Sequence, residues 1–272
     1  MFKPAFRYSP TDRESALWFI ISGGRLLVKK NSRPVVVPGA RRLADVIPGC
    51  GHTQFLGHLG GRPCFAAGSP PDFQPLDGLE FKGLKSLFGR IDEDQLWVAG
   101  RANQLVRWGR HHRFCGKCGQ PTENKQDERA KICPGCGLVN YPRVSPAIIV
   151  AVIKDDQILL GRSGRFPGGF FSVLAGFVEP GESLEACVER EVFEETGIAV
   201  KHIRYFGSQP WPFPDSLMVA FTAEHAGGDI KIDGREIVAA DWYARGNLPD
   251  IPPKISVARQ LIDWFIDSGC PR

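Results

Sequence analysis

The stretch GFVEPGESLEACVEREVFEETGI, residues 176–198, decides how this chain is read. Pro180-Gly181 signals a turn, and Ser183 is placed to cap a helix with an acidic first turn. Gly197 stands where a helix closes on a left-handed residue. Counting about 100° per residue from Leu184, Val188 and Val192 share its side, and so do Glu191 and Glu195. Glu194 stands at the edge of that face. Carboxylates on an apolar face repel one another and lose hydration unless a cation or hydrogen bonds satisfy them. A cluster of hard oxygen ligands suits Mg²⁺ or Mn²⁺, and Mg²⁺ commonly shares its shell with substrate phosphates. The alternative is a solvated acidic helix, but these carboxylates lie on the wrong face for it.

The fixed positions are Gly176, Glu182, Arg190-Glu191-Val192, Glu194-Glu195, Gly197 and Ile198. In this spacing they resemble the signature of the Nudix hydrolases, which cleave nucleoside diphosphates linked to another group. The resemblance implies a metal-dependent pyrophosphatase.

A second pattern lies upstream. Cys115-Gly-Lys-Cys118 and Cys133-Pro-Gly-Cys136 are paired C-x2-C knuckles with Gly116, Gly119, Gly135 and Gly137 at their turns. Four thiolates in this arrangement suit one tetrahedral Zn²⁺ per chain, and with no open position the metal is structural. A ribbon of this kind also serves in nucleic-acid binding, and the sequence leaves the two uses open.

At 272 residues the chain has room for about two cores, and its net charge of +4 says little about partners. The longest apolar run, Ala147 to Ile153, is far too short to cross a bilayer, and MFKPAFRYSP lacks the apolar core of a signal peptide. A cytoplasmic protein with no membrane partner is expected. Cys50, Cys64, Cys187 and Cys270 are scattered and read as reduced thiols.

Three regions are expected: an α/β scaffold or dimerisation domain over 1–110, the zinc ribbon over 111–141, and the catalytic domain over 142–272. In the first, ALWFII, Ser22-Gly23-Gly24 and RLLVKK read as strand, turn and strand. GGRPCFAAG and DQLWVAG read as further strands, and Arg107 to Lys117 as a solvated basic linker. In the last, AIIVAVIK and QILLGRS form a hairpin across Asp155-Asp156. SVLAGF leads into the glutamate helix, and IRYFG, SLMVAFTAEH and EIVAADWY follow as strands. KISVARQLIDWFI has helical spacing at Ile255, Ala258, Leu261, Ile262 and Phe265. Strands with one central and one terminal helix give an α/β/α sandwich, the architecture expected of a Nudix fold.

The segment from Ser208 to Ser216, SQPWPFPDS, bears on the substrate. Three prolines fix φ and hold Trp211 and Phe213 in place to support a flat heterocycle, or else build a rigid surface loop packed on its own aromatics. SQPWPFP downstream of the glutamate helix, with a four-cysteine ribbon upstream, resembles the NADH pyrophosphatase family, some bacterial members of which remove NAD caps from RNA. The resemblance implies hydrolysis of NADH or NAD⁺ to a nicotinamide mononucleotide and AMP, extending to NAD-capped RNA, by a homodimer. It makes Glu191, Glu194 and Glu195 catalytic and ligands to Mg²⁺ or Mn²⁺, with the Ala175 carbonyl and Glu236. Glu195 is the candidate for activating water, and Arg190 orients a neighbouring carboxylate. Phe177 stacks on the base, and Tyr141 of the other subunit stacks opposite it. Glu128, Gln209, Pro210, Trp211, Pro212, Phe213, Pro214, Asp215, Ser216 and Ala258 are implied substrate contacts. Two rivals remain: another Nudix substrate such as ADP-ribose, and a zinc-ribbon nucleic-acid binder using the domain as a metabolite sensor.

Overall fold

Strand β11 (Ser145–Lys154) is apolar at successive positions because both of its faces are covered. Ile148, Val150 and Val152 enter one core with Cys187, Val188 and Val192 of helix α2 (Leu184–Thr196). Ile149 and Ala151 enter another with Val257, Ala258, Leu261, Ile262 and Phe265 of helix α3 (Val257–Asp267). Successive side chains of a strand point to opposite faces, so one strand serves two layers. The computed structural model describes residues 1–8, 15–50, 53–164, 169–232 and 234–267.

The other strands of this unit are β12 (Gln157–Ser163), β13 (Leu174–Phe177), β14 (Ala199–Trp211), β15 (Ser216–Gly227) and β16 (Ile237–Ala244). Among the described residues they order as β14-β15-β11-β12-β16, with β13 paired to β11. β11 runs parallel to β15 and antiparallel to β12 and β13. The expected α/β/α sandwich is therefore present. One reading needs correction. Residues 208–216 are less a loop than a hairpin tip: pairing continues from Gln209↔Met218 to Trp211↔Ser216, leaving residues 212–215 as the turn.

The chain divides into units Met1–Arg143 and Val144–Arg272. In the first, the strands are β1 (Phe2–Pro4), β2 (Ala16–Ser22), β3 (Arg25–Lys29), β4 (Gly39–Ala40), β5 (Thr53–Leu59), β6 (Arg62–Gly68) and β7 (Leu79–Gly83). Their order is β1-β5-β6-β2-β3-β7, with β4 on β2. Helix α1 (Glu93–His111) packs against β2, β5 and β6. This corrects two expectations. DQLWVAG is helix, not strand: Asp92 caps it by accepting from the Gln95 N–H at 3.0 Å, and Leu96, Ala99, Ala102 and Val106 are buried at helical spacing. The basic run from Arg107 is not a linker but the last turn of α1 leading into the ribbon, where cations complement the carbonyl end of the helix.

The ribbon belongs to the same unit, with short strands β8 (Glu123–Asn124), β9 (Lys131–Ile132) and β10 (Val139–Asn140) ordered β10-β9-β8. Arg129 ties it to the scaffold by donating to the Ala5 carbonyl at 3.0 Å and the Phe55 carbonyl at 2.9 Å. Cys64 and Cys187 are buried free thiols and Cys50 is half-buried; Cys270 lies outside the described residues.

Candidate active site and metal centres

Helix α2 starts and stops as its sequence dictates. The Ser183 hydroxyl accepts from the Ala186 N–H at 3.1 Å. Gly197 takes φ 71°, and its N–H bonds the Phe193 carbonyl at 2.7 Å. A side chain at Gly197 would resist that left-handed conformation. Between these ends the glutamates sort by face. Glu195 is 8% exposed, the Glu191 side chain 14% and that of Glu194 60%.

The register of β13 explains the glycine that opens the motif. Gly176 pairs with Ile148, whose side chain faces α2, so Gly176 presents the same face to the helix. There it meets the Glu191 carboxylate directly. Burial raises the pKa of Glu191 against the opposing pull of Arg190, with Glu194 and Glu236 adding repulsion. This electrostatic coupling brings Glu236, exposed just before β16, into the same field.

Arg190 organises the acidic helix. Its Nε donates to Glu182 Oε1 at 2.7 Å and its Nη2 to Glu182 Oε2 at 2.9 Å, a two-pronged pair. Nη1 reaches Glu191 at 2.9 Å and Glu194 at 3.1 Å. Nη2 also donates to the Phe177 carbonyl at 2.9 Å. The pair holds Glu182 at about 2, helped by the Glu179 N–H, and Glu182 in turn raises the pKa of Arg190. Arg190 thus orients several carboxylates. The role of Glu182 as its anchor carried no periodic signal, because Glu182 precedes the helix.

The donor set suits a hard divalent cation: poorly exposed carboxylates on the inner face of α2, one of them desolvated and costly to ionise alone. Their oxygens are not drawn into one tight cluster. Among the described residues, only the four cysteines bring three or more ligand atoms within 4.8 Å of one another.

That second centre is a closed sulfur cage. Cys115 Sγ lies 3.6 Å from Cys136 Sγ, and Cys118 Sγ 3.4 Å from Cys133 Sγ. Zn–S bonds of about 2.3 Å span a tetrahedron with edges near ~3.8 Å, so the cage fits zinc. The two knuckles are built alike: the Gly119 and Gly137 N–H groups bond the carbonyls of Cys115 and Cys133, each at 2.9 Å. N–H groups of Cys118 and Lys117 lower Cys115 to about 6. At Cys118 the Gln120 N–H also favours thiolate, but neighbouring sulfurs and burial outweigh it and leave the thiol at about 12. A dication removes that conflict.

The residues implied as substrate contacts fall in four places: the ribbon, β13, the hairpin tip and α3. Tyr141, 59% exposed, donates from Oη to Glu128 Oε1 at 3.1 Å, and Lys125 holds the same carboxylate. Phe177 is 58% exposed beside Gly176, while the Ala175 carbonyl lies one residue before the glycine in the β13 ladder. The hairpin tip sets Trp211 and Phe213 edge to face at 5.2 Å. Asp215 is bound into the sheet, accepting from the Ser145 hydroxyl at 2.9 Å, and Pro212 and Ser216 are buried. Gln209 is buried with its amide engaged: Nε2 donates to the Ile255 carbonyl at 3.0 Å and Oε1 accepts from the Val257 N–H at 2.8 Å. It fastens the hairpin to the start of α3, a tertiary role with no trace in the local sequence. Ala258 is 6% exposed within the α3 core.

Residues 143–265 match the NUDIX domain family. Residues 15–108 match the NADH pyrophosphatase-like rudimentary NUDIX domain, and 110–141 the NADH pyrophosphatase zinc ribbon domain. The chain is 44% identical over 252 residues to the NAD-capped RNA hydrolase NudC of Deinococcus radiodurans, covering 91% of this chain and 86% of that protein. It is 46% identical over 215 residues to the protein of that name from Stutzerimonas stutzeri, covering 78% and 77%. No described helix is long and apolar enough to cross a membrane.

Proposed function

The chain belongs to the Nudix hydrolases of the NADH pyrophosphatase type, the family of its NudC relatives, and on that premise we propose that it hydrolyses the diphosphate bond of NADH and NAD⁺ and removes the same cap from RNA. The products are reduced or oxidised nicotinamide mononucleotide and AMP, or a 5′-phosphorylated RNA. The observation that carries the reading is the Glu191 carboxylate held against Gly176, with Glu195 buried one turn further along α2, in the full signature.

Glu191, Glu194 and Glu195, with Glu236 and the Ala175 carbonyl, would hold Mg²⁺ or Mn²⁺. Such an ion offsets charge on the diphosphate oxygens and eases deprotonation of the attacking water. Glu195, the most buried of the carboxylates, accepts that proton. Water attacks one phosphorus, the bridging P–O bond breaks, and the bridging oxygen leaves with the other phosphate. Arg190 keeps Glu191 and Glu194 oriented throughout. Phe177 stacks on one face of the base, Tyr141 of a second subunit covers the other, and Glu128 steadies Tyr141, so the working form is a homodimer. Trp211 and Phe213 wall the pocket from the hairpin tip. Gln209, Ser216 and Ala258 shape that wall from behind. Zinc holds the ribbon, in a cytoplasm that keeps its thiols reduced.

The test is a comparison of kcat/KM on NADH, NAD⁺, ADP-ribose and NAD-capped RNA with one preparation, with products identified. NAD-containing substrates should lead and yield nicotinamide mononucleotide with AMP or 5′-phosphorylated RNA. Preference for ADP-ribose, or dinucleotide binding without cleavage, would overturn the reading.

A further inference from the structure

A cavity of 480 Å³ opens in the N-terminal unit, lined by Asn31, Ser32, Arg33, Val35, Lys82 and Arg90 among others. That volume lies within the range of small-ligand sites. Its lining holds three cations, no carboxylate and no aromatic ring. Lys82 is paired with Glu80 at 3.0 Å, whereas Arg33 and Arg90 are exposed and form no ion pair among the described residues.

The walls are set in advance. The Val35 N–H bonds the Arg90 carbonyl at 2.7 Å and joins the loop after β3 to the approach to α1, so Arg33 and Arg90 stand on linked segments. The Ser32 hydroxyl donates to the Lys29 carbonyl at 3.0 Å and accepts from the Val36 N–H at 3.2 Å, which curls the loop. A site with fixed walls binds with a smaller ordering penalty.

This chemistry is the reverse of that on α2. With no carboxylate the cavity has no use for a divalent cation and takes the anion directly. Guanidinium groups donate two parallel hydrogen bonds to phosphate oxygens. With no ring to stack on, it reads phosphate rather than base, which suits a polymer of any sequence better than a free nucleotide. We propose that this cavity binds phosphodiester groups of a single-stranded RNA, through Arg33, Arg90 and Lys82, and so contributes to choosing capped RNA over the free dinucleotide. The choice of RNA rests on the function proposed above; the anion site itself does not.

The test uses the zinc-loaded full chain and a 3′-labelled single-stranded RNA with a 5′-hydroxyl end, which holds no diphosphate for the enzyme to hydrolyse. Fluorescence anisotropy should show Arg33→Glu and Arg90→Glu each weakening binding by about tenfold. Arg33→Gln should weaken it less and flatten the salt dependence of log Kd by about 0.7 per lost contact. Arg107→Glu, the same charge change on an exposed part of α1 outside the cavity, should have little effect. For the cavity variants, kcat/KM on NAD-capped RNA should fall about as much as RNA binding while turnover of free NADH stays unchanged. Unaltered RNA binding would overturn the proposal. So would equal loss in Arg107→Glu, a matching rise in KM for NADH, or AMP or inorganic phosphate displacing the RNA at concentrations near its own Kd. Absence of any NAD cleavage would sink the enzymatic reading instead and leave the binding result to stand on its own.

Discussion

A Cβ placed on Gly176 would stand 1.8 Å from the carboxyl carbon of Glu191 and within 2.2 Å of both its oxygens. Gly176 has no positive φ, so alanine suits its backbone, and the clash is with the end of a flexible side chain. Gly176→Ala should therefore keep the fold and displace the carboxylate. Turnover should drop about a hundredfold, as for a lost catalytic group, with a smaller shift in Tm. A folded Gly176→Ala protein with normal turnover and normal metal requirement would separate Glu191 from catalysis.

The Glu182–Arg190 pair should be visible in acid unfolding. Glu182 is depressed from 4.5 to about 2. Its contribution to stability is therefore complete above the ordinary carboxylate range and lost as pH falls through about 2. Glu182→Gln should remove that part of the acid-unfolding curve, as followed by circular dichroism between about pH 5 and pH 2. Glu191 runs the other way. Burial raises its pKa, so the folded protein takes up that proton more readily than the unfolded chain does. Metal activation should weaken early on acidification, and metal titrations at descending pH measure it. Identical acid limbs for wild type and Glu182→Gln would count against the pair as a stabilising element.

Metal analysis should find about one tightly held zinc per chain, distinct from exchangeable Mg²⁺ or Mn²⁺. Cys118→Ser should lower Tm more than it alters the chemical step. Chelation should release the zinc together with the stability of the ribbon. Protein purified without chelator and free of zinc would remove the metal from the cage.

Subunit mixing tests the shared site. Glu195→Gln should be folded and lose activity by about 10² or more. Tyr141→Ala should lose the stacking worth roughly 1–3 kcal/mol. Mixed after subunit exchange, the two should recover activity, because one site of the heterodimer joins an intact Tyr141 to an intact Glu195. A mixture equal to the average of its homodimers would place Tyr141 outside the partner's site.

The α2 segment was legible because its cap, its closing glycine and its misplaced carboxylates are all local. The zinc cage was legible because knuckle spacing dictates sulfur geometry. What escaped was non-local. DQLWVAG passes for a strand until Asp92 is seen capping a helix. Nothing near Gln209 shows that Ile255 and Val257, across the fold, will hold its amide. Nothing near Glu182 reveals that Arg190 will fork onto it. The cavity beside Arg33 and Arg90 draws on three segments that no periodicity connects.

The double allegiance of β11 limits how this chain can change in length. A deletion of one residue near Ile149 would turn every following side chain over, exchanging what α2 and α3 each receive. It would also shift β13 and β15, which pair along the same strand. Exchanges among valine, isoleucine and leucine leave that alternation alone. This lineage could therefore respell the strand many times, whereas a single-residue indel there would have to be absorbed by a bulge or offset by a second.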